Sequence, residues 1–328
     1  MLTIEKYNTK NETSWNNFLN KSFNGTIFSH RSFLNYHINR QFTDNSLLIY
    51  RNRELIAIIP AVVIIENDKT ILHSHPGASY GGIILKNNLN FETMNNIIQS
   101  IEQYCINQSF NSLFLINSPN IYHQYKDHSL EYLLSWNGYK SNEIYISHAV
   151  NVNTSDDLDT ILAKRKRRYL NNDDSLQNIQ FNSTNDIKLF YQILIENKKR
   201  FNIKPTHSLN EITKLLKLFP DHIQLFTSSL NNQIIGGSLL FHTNKKASLV
   251  FYNAVLAEYR TSQLSMYQIY QCMKVVKNNN INILDFGVSH IPESENPLNP
   301  KFSLIQFKEQ LGSKGVIRKT YQKDYIFE

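Results

Sequence analysis

The sequence predicts an α/β protein in which two halves of the chain follow the same order of strands and helices. Each half contains a β-hairpin, a further strand, an amphipathic helix and a closing strand. Interleaved hairpins and helices indicate mixed domains, because a sandwich would lack the helices and a bundle would lack the strands. The order repeats once along 328 residues, a length that allows two domains with cores of their own.

The first half opens with a helix, and a second helix separates its last two strands. Apolar residues with a 3.6-residue period predict the helices, and β-branched runs between turn residues predict the strands. The predicted elements are a helix at 13–22, a hairpin of two strands at 46–65, a strand, glycine-rich turn and strand at 69–85, a helix at about 92–107 and a strand at 112–119.

The second half repeats this order after two predicted helices. Its elements are helices at 154–172 and 184–201, a hairpin at 223–243 around Asn231-Asn232, a strand at 245–255, a helix at about 262–277 and a strand at 282–289. Met94 corresponds to Met266, and Ile97 to Ile269, at a constant offset of 172. We interpret the halves as duplicated domains with the boundaries 1–152 and 153–328.

Composition indicates a globular chain, with 41% hydrophobic and 19% charged residues. The first residues lack a signal-peptide core and no apolar run approaches a spanning length, so we expect a cytoplasmic protein. The net charge of +7 suits a polyanionic partner such as a nucleotide, RNA or an anionic membrane surface. Cys105 and Cys272 lie on apolar stripes of predicted helices, which favours buried free thiols over a disulfide.

The segment 282–315 concentrates residues with special backbone roles, since it holds three of the ten glycines and three of the eight prolines. An apolar strand leads to Asp285-Phe286-Gly287, and Phe307-Lys308 precedes Leu311-Gly312. The basic run Lys164-Arg165-Lys166-Arg167-Arg168 opens the second half. In these motifs and in its order of elements, the chain resembles the GNAT acyltransferases and the Fem-like peptidoglycan aminoacyltransferases.

The resemblance implies two tandem GNAT-like domains, each a mixed, mostly antiparallel sheet flanked by helices, with the site in the cleft between them. It implies transfer of an acyl group from acyl-CoA, or of an aminoacyl group from aminoacyl-tRNA, to an amine. The donor would be a co-substrate, with no tightly bound cofactor and no metal. The turn 258–265 lacks the glycines with which GNAT domains hold the CoA pyrophosphate, so both donors stay open.

The acceptor that the resemblance implies is a nucleotide- or lipid-linked amino sugar or peptide, a precursor of a bacterial surface polymer. The positive charge would serve its diphosphate and a peripheral contact with the inner membrane surface. Two other functions remain open. One is a Fem-type peptidoglycan bridge ligase that uses aminoacyl-tRNA, and the other is a non-catalytic binding module for RNA or anionic carriers.

Four residues are predicted to be catalytic. By resemblance, Lys308 is expected to stabilise the oxyanion of the tetrahedral intermediate, because a fixed cation stabilises charge that develops only in the transition state. Glu293 and Glu295 lie in a proline-bounded loop, where a carboxylate suits the amine proton or a substrate amino group. Asp285 ends a strand before Gly287, which suits either an acid in the cleft or a turn-capping residue.

A second set of residues is predicted to bind substrates: Arg167, Arg168, Tyr169, His75, Tyr80, His207, Tyr252, Asn253 and Phe307. The arginines suit a phosphate, and Tyr80 belongs to a glycine-rich loop that suits an acceptor pocket. Tyr252 and Asn253 end a strand where GNAT domains expose main chain to the acyl group. Phe307 is expected to orient Lys308. His73 and His75 are spaced i, i+2 with no cysteine or acid nearby. They are a poor ligand set, so no metal is expected.

Overall fold

A computed structural model describes residues 2–172, 174–291, 294, 296 and 298–326 of the chain. Its strands, in chain order, are β1 (Leu2–Lys6), β2 (Thr43–Asp44), β3 (Leu47–Arg51), β4 (Glu54–Ile59), β5 (Ala61–Glu66), β6 (Lys69–Ser74), β7 (Ile84–Leu85), β8 (Ser112–Ile116), β9 (Ile144–Asn151), β10 (Gln180–Thr184), β11 (Ile223–Leu230), β12 (Gln233–His242), β13 (Ala247–Val255), β14 (Ile283–Val288) and β15 (Lys314–Asp324).

The α-helices, in chain order, are α1 (Glu12–Lys21), α2 (Arg31–Leu34), α3 (Phe91–Asn107), α4 (Ser129–Trp136), α5 (Lys164–Asn172), α6 (Asp174–Gln177), α7 (Lys188–Lys199), α8 (Leu209–Leu218), α9 (Leu264–Asn278) and α10 (Phe302–Glu309). Short 3₁₀ turns lie at Thr9–Asn11, Ile27–Ser29, Asn120–Tyr122, Leu158–Ile161 and Ala257–Tyr259. Over the part of the chain that is described, no helix has the length and apolarity to cross a bilayer.

The chain forms two compact units. Unit 1 contains Met1–Ile144 and Arg318–Glu328, and unit 2 contains Tyr145–Ile317. The chain's last segment belongs to unit 1 because β15 pairs with β8 from Thr320 to Asp324. The division into duplicated domains at 1–152 and 153–328 stays a prediction.

Unit 1 contains two series of paired strands. In the first, β1, β3, β4 and β7 are antiparallel neighbours in that order. In the second, β2, β5 and β6 are antiparallel and β6 runs parallel to β8. The predicted helix between the last two strands is confirmed as α3, and it buries Ile97, Ile98 and Ile101 in the core. The fold class, mixed sheets flanked by helices, is therefore also confirmed in this unit.

One predicted hairpin of unit 1 is wrong in detail. The segment 46–65 was expected to form two strands, but it contains β3, β4 and most of β5. Pro60 separates β4 from β5, because proline has no N–H to donate to a strand ladder. The two strands on either side of Pro60 then join different series: β4 pairs with β3 and β7, while β5 pairs with β6.

In unit 2 the strand order is β10, β11, β12, β13, β14, β9, and all neighbours are antiparallel except β13 and β14. The predicted hairpin is confirmed: Asn231 and Asn232 form its turn with φ of +50° and +63°. Helix α9 packs its predicted apolar face, which includes Met266 and Met273, against the strands. In both units a long helix leads to a closing strand, α3 to β8 and α9 to β14, but from the predicted hairpin onward unit 1 has β3 to β7 before this helix and unit 2 has β11 to β13.

Three further elements differ from expectation or were not predicted. The helix expected at 154–172 is a 3₁₀ turn followed by α5, which begins only at Lys164. Helix α8 was not predicted, although Ser208 and Glu211 form a capping box at its start. The strand β15 was also missed, because its lysines and polar residues hide the alternation of a half-buried strand.

The two cysteines are confirmed as free and buried thiols. Burial raises the pKa of Cys105 and the pKa of Cys272 to about 12. Both thiols are therefore protonated near neutral pH and act as small apolar side chains.

A buried arginine stabilises the start of unit 1. Arg31 is 2% exposed and donates from Nη1 to Ser46 Oγ at 3.0 Å, while Nη2 forms an ion pair with Asp44. Its guanidinium lies 3.6 Å from the ring centre of Tyr7 and 5.2 Å from that of Trp15. Burial by itself would raise the pKa of Asp44, but the Arg31 charge and hydrogen bonds from Ser46 outweigh it and lower that pKa. The ion pair therefore stabilises the charged forms of both Arg31 and Asp44.

Asp44→Asn is expected to lower the free energy of unfolding of unit 1 by about 2 kcal/mol at pH 7, because it leaves a buried guanidinium without its counter-charge. This cost is smaller than for a fully buried pair because 35% of the Asp44 side chain is exposed, so that solvent screens the charge. The pKa of Asp44 is lowered from 3.8, so the pair stabilises above that pH and the contribution is lost as the pH falls through the folded-state pKa. Urea unfolding between about pH 3 and pH 8 measures this.

The matched control is Glu54→Gln, which removes an ion pair with Lys86 that is largely exposed on both sides. A much smaller change is expected there because solvent screens the pair. Two outcomes would contradict a stabilising Arg31–Asp44 pair. One is an equal loss in the free energy of unfolding for both substitutions, and the other is a loss for Asp44→Asn that does not become smaller in acid.

Candidate functional site

The parallel strands of unit 2 separate part-way along their length. β13 and β14 pair at Ala247–Ile283, Ser248–Leu284 and Leu249–Asp285, and the pairing stops there. β13 continues to Val255, while β14 bulges at Gly287, whose φ is +74°. The main-chain groups of the second half of β13 that face β14 therefore have no strand partner in the described part of the chain. Such an open edge can bind an extended ligand through main-chain hydrogen bonds.

Lys308 lies at the end of β14 with 5% of its surface exposed. It is in the last turn of α10, and its Nζ donates to Gly287 O at 2.8 Å, Val288 O at 2.9 Å and Ser289 Oγ at 2.9 Å. These three bonds use the three protons of the ammonium group. Lys308 thus holds the end of β14 and puts a buried positive charge there.

Asp285 is fully buried at the point where β13 and β14 separate. Its Oδ1 accepts from Ser147 Oγ at 2.6 Å and from the main-chain N–H of Gly287 at 2.7 Å. The carboxylate therefore shapes the bulge at Gly287, which agrees with the turn-capping role that the sequence left open. A role for Asp285 as a catalytic acid stays a prediction.

Sequence reasoning missed two polar residues beside Lys308. His148 on β9 and Ser289 after β14 are both buried, and His148 Nδ1 lies 3.0 Å from Ser289 Oγ. Burial, followed by the charge of Lys308, lowers the pKa of His148. The two residues are separated by 141 positions, so no local motif links them. The available signal was the polar pair Ser147-His148 inside an otherwise apolar strand.

The structure brings together two predicted substrate-binding residues, His207 and Tyr252. Tyr252 Oη accepts from the main-chain N–H of His207 at 3.2 Å and lies 3.1 Å from its Nδ1. Lys198 Nζ on α7 lies 5.8 Å from the centre of the Tyr252 ring. Burial raises the pKa of Tyr252 to about 12, so the phenol is neutral at physiological pH.

Asn253 lies on the opposite face of β13 from Tyr252, because successive strand residues point to opposite faces. Its Nδ2 donates to Ser265 Oγ at 2.9 Å, and its Oδ1 accepts from Ser238 Oγ at 2.8 Å. The predicted pair Tyr252 and Asn253 is thus divided between the face covered by α7 and the face covered by α9.

The basic helix α5 turns a different residue inward from those predicted. Lys166 is buried; its Nζ donates to Gln263 Oε1 at 2.8 Å, just before α9, and lies 5.6 Å from the ring centre of Phe307. Arg167 is partly exposed and Arg168 is exposed. Burial, followed by the charge of Arg165, lowers the pKa of Lys166. Lys166 is thus the cation of α5 placed beside the start of α9.

Two predicted aromatic residues of unit 2 pack against its core. The ring of Phe307 contacts the hydrophobic core next to the residue that it was expected to orient. Tyr169 also packs there, and its Oη lies 3.5 Å from Arg165 Nη2. The hydrogen bond from Arg165 and its charge lower the pKa of Tyr169.

His75 and Tyr80 lie in unit 1, whereas the other described candidates lie in unit 2. Both follow β6 and both are buried. His75 Nδ1 accepts from the main-chain N–H of Gly77 at 3.2 Å, and burial lowers the pKa of His75 to about 3. The guanidinium of Arg318 lies 4.6 Å from the ring centre of Tyr80. The remaining candidates, Glu293 and Glu295, fall outside the described residues.

No protein-family model matches the sequence, and no curated protein matches it. Several solved structures, however, match the fold of the chain. FemX matches with a TM-score of 0.73 and 12% identity over 98% of this chain and 97% of FemX. The C-terminal domain (DUF2156) of a putative lysylphosphatidylglycerol synthetase from Agrobacterium fabrum matches at 0.60 and 9%, over 97% and 93%. A tandem GNAT protein from the clavulanic acid biosynthesis pathway matches at 0.54 and 8%, over 99% and 98%. The chain has a GNAT/Fem-like fold with tandem domains.

Within this tandem GNAT fold, the glycine of the Leu311-Gly312 motif has a steric explanation. Gly312 follows α10 with φ of +80°, and a Cβ there would lie 2.3 Å from Ile161 Cγ2 and 2.6 Å from Ile161 O. Both the backbone conformation and the close approach of Ile161 thus require glycine. The motif fixes α10, and with it Lys308, against the segment before α5.

Gly312→Ala is expected to lower the free energy of unfolding of unit 2 by about 3 kcal/mol, since it adds a clash to the cost of a left-handed conformation. Gly287→Ala is the matched control. Its φ is +74° and the nearest atom to its added Cβ is Leu249 Cδ1 at 3.9 Å, so only the conformational cost of about 1 kcal/mol is expected. Denaturant unfolding of both variants measures the difference, and equal losses would exclude the steric explanation.

Proposed function

We propose that the chain catalyses transfer of an acyl or aminoacyl group from an activated donor to an amine. The observation that carries this proposal is the early end of pairing between β13 and β14, together with the buried charge of Lys308 at the end of β14. An extended donor would pair with main-chain groups of β13 beyond Leu249, which would direct its carbonyl toward the end of β14. The tandem GNAT fold supports the same reading, because the structures that it resembles include a tandem GNAT protein.

The proposed reaction is a direct displacement at the donor carbonyl. The acceptor amine forms a bond to the carbonyl carbon, and the carbonyl oxygen becomes an oxyanion. The oxyanion then reforms the double bond while the bond to the leaving thiol or hydroxyl breaks. The proton lost by the amine ends on the leaving group, so atoms and charge balance without an oxidant or a metal. The protein then has to stabilise the oxyanion and to hold the reactants in register.

Lys308 is the residue that we propose for oxyanion stabilisation. Its three N–H groups are donated to protein oxygens, so its contribution is a fixed positive charge and not a spare hydrogen bond. A charge held in a buried site costs no reorganisation when the oxyanion forms, and it acts through a lower dielectric than water. Phe307 and the Leu311-Gly312 turn would support it by fixing α10.

For the proton, we retain Glu293, Glu295 and Asp285 as candidates. Asp285 already accepts hydrogen bonds from Ser147 and Gly287, so its direct use would require it to give up part of that network. For substrate binding, we retain the residue set named from the sequence and add Lys166. The buried, neutral phenol of Tyr252 suits an uncharged acyl chain on one face of β13, and Lys166 suits an anion on the other.

The proposed acceptor is an amine of an amino-sugar or peptide precursor of a bacterial surface polymer, linked to a nucleotide or a lipid. The net charge of +7 and the buried Lys166 support an acceptor or donor that carries phosphates. A lipid-linked acceptor would bring the protein to the inner membrane surface. The donor is acyl-CoA or aminoacyl-tRNA, and the fold supports both equally.

The function is tested by incubating the purified chain with a panel of acyl-CoAs and, separately, with charged tRNA, each with nucleotide-linked amino-sugar and peptide acceptors. Amide formation is followed by mass spectrometry. Transfer from charged tRNA that RNase abolishes would identify the aminoacyl donor. Transfer from acyl-CoA that RNase leaves intact would identify the other. Retention of RNA or anionic carriers without any transfer from either panel would overturn the proposal in favour of a binding module.

Lys308→Met is expected to lower kcat about 100-fold with little change in KM, because it removes charge stabilisation that matters in the transition state. Lys308→Arg should retain part of the activity since the charge remains. Lys277→Met is the matched control: Lys277 Nζ also donates to two main-chain carbonyls, those of Ser155 and Asp156, at 2.7 and 2.8 Å. Equal losses of kcat in the Lys308 and Lys277 variants would show that Lys308 has only a structural role.

A further inference from the structure

The hydrogen bonds around Lys308 continue into a buried histidine. Lys308 Nζ donates to Ser289 Oγ at 2.9 Å, and Ser289 Oγ lies 3.0 Å from His148 Nδ1. Ser289 is fully buried and His148 is 3% exposed. The series Lys308–Ser289–His148 thus joins α10, the end of β14 and β9 at one point inside unit 2. None of these contacts is local in sequence.

Proton positions follow from the chemistry of a hydroxyl. Ser289 Oγ accepts a hydrogen bond from Lys308, and its own single proton is then available for a neighbouring acceptor. Nδ1 of a neutral histidine is such an acceptor, which places the histidine proton on Nε2. In this state the Ser289 hydroxyl both accepts and donates. With His148 neutral and its proton on Nε2, the Ser289 proton has an acceptor within the series.

We propose that His148 and Ser289 are positioning residues for Lys308. Protonation of His148 would move the ammonium group of Lys308 away from the position in which it stabilises the oxyanion. This rests on the function proposed above. In an imidazolium, Nδ1–H would point at Ser289 Oγ, and the Ser289 proton would lose its acceptor in a fully buried place. The site would also hold two cations separated by one oxygen atom. Both effects displace Lys308 from the end of β14.

The charged groups around His148 agree with this direction. Lys308 opposes protonation of His148, whereas Glu309 on α10 and Asp285 on β14 favour it. Burial and Lys308 outweigh the two acids, so the pKa of His148 lies below its ordinary value of 6.5. The neutral state is therefore present at physiological pH and is lost as the pH falls through that lowered pKa.

The test is the pH profile of acyl transfer by the full chain. In the wild-type protein, kcat should fall in acid along a limb below pH 6.5, with KM unchanged. His148→Asn keeps an oxygen acceptor near the Nδ1 position but cannot take up a proton. It should keep kcat within about threefold and lose the acid limb. Ser289→Ala removes an acceptor of Lys308 and should lower kcat about tenfold or more at every pH.

The matched control is another buried histidine–serine pair of unit 2. His242 Nδ1 lies 2.7 Å from Ser248 Oγ, and burial lowers the pKa of His242 to about 4. His242→Asn should leave the acid limb in place, because the ring of His242 bonds to Ser248 and Gln224 and lies outside the series that reaches Lys308. An acid limb that survives in His148→Asn, or that disappears equally in His242→Asn, would overturn the proposal.

A measurement without substrate separates this proposal from the proposed function. Proton–nitrogen NMR of the imidazole ring reports the tautomer and the pKa of His148 directly. We expect the Nε2–H tautomer, a pKa below 6.5, and a higher pKa in Lys308→Met. If the NMR results are as expected but no donor supports transfer, the proposed acyl transfer is wrong, while the coupling of His148 to Lys308 through Ser289 is supported. If transfer occurs but His148 titrates identically with and without Lys308, the coupling is wrong and the function stands.

Discussion

The early end of pairing between β13 and β14 is the constraint on which the candidate site depends. The two strands share only the pairs from Ala247–Ile283 to Leu249–Asp285 before they separate. Once they separate, main-chain groups on both edges need other partners, because unpaired polar groups are costly when buried. Lys308 satisfies the carbonyls of Gly287 and Val288, and in the described part of the chain β13 has no strand partner on its β14 side beyond Leu249.

The charge of Lys308 links this backbone constraint to the proposed chemistry. An ammonium group buried without acceptors would be unstable, and the carbonyls of β14 together with Ser289 supply those acceptors. The same bonds fix the position of the charge, which is what transition-state stabilisation requires. The Leu311-Gly312 turn contributes from outside the site, since Ile161 can approach α10 closely only at a glycine. Structure and proposed activity therefore depend on the same few contacts.

Sequence periodicity predicted more of the fold than of the site. The helices α3 and α9 and the hairpin at Asn231-Asn232 were predicted because amphipathic period and turn chemistry are local signals. The break at Pro60 was missed, although the residue signals it. β15 was missed for a different reason: its polar residues hide the alternation of a strand, and its pairing with β8, about 200 residues earlier, is not encoded locally. Among site residues, the prediction of Lys308 came from its motif, whereas His148 and Ser289 have no motif.

By itself, the sequence determined the α/β class, the helices α3 and α9 and the buried state of both cysteines, since composition and periodicity are properties of neighbouring residues. Only the tertiary structure decided which polar groups meet. It turned Lys166 inward instead of Arg167 and Arg168, and it divided Tyr252 from Asn253 across β13. The physical reason is that hydrogen-bond partners of buried polar groups are chosen by strand register and helix rotation, which depend on the packing of the whole unit.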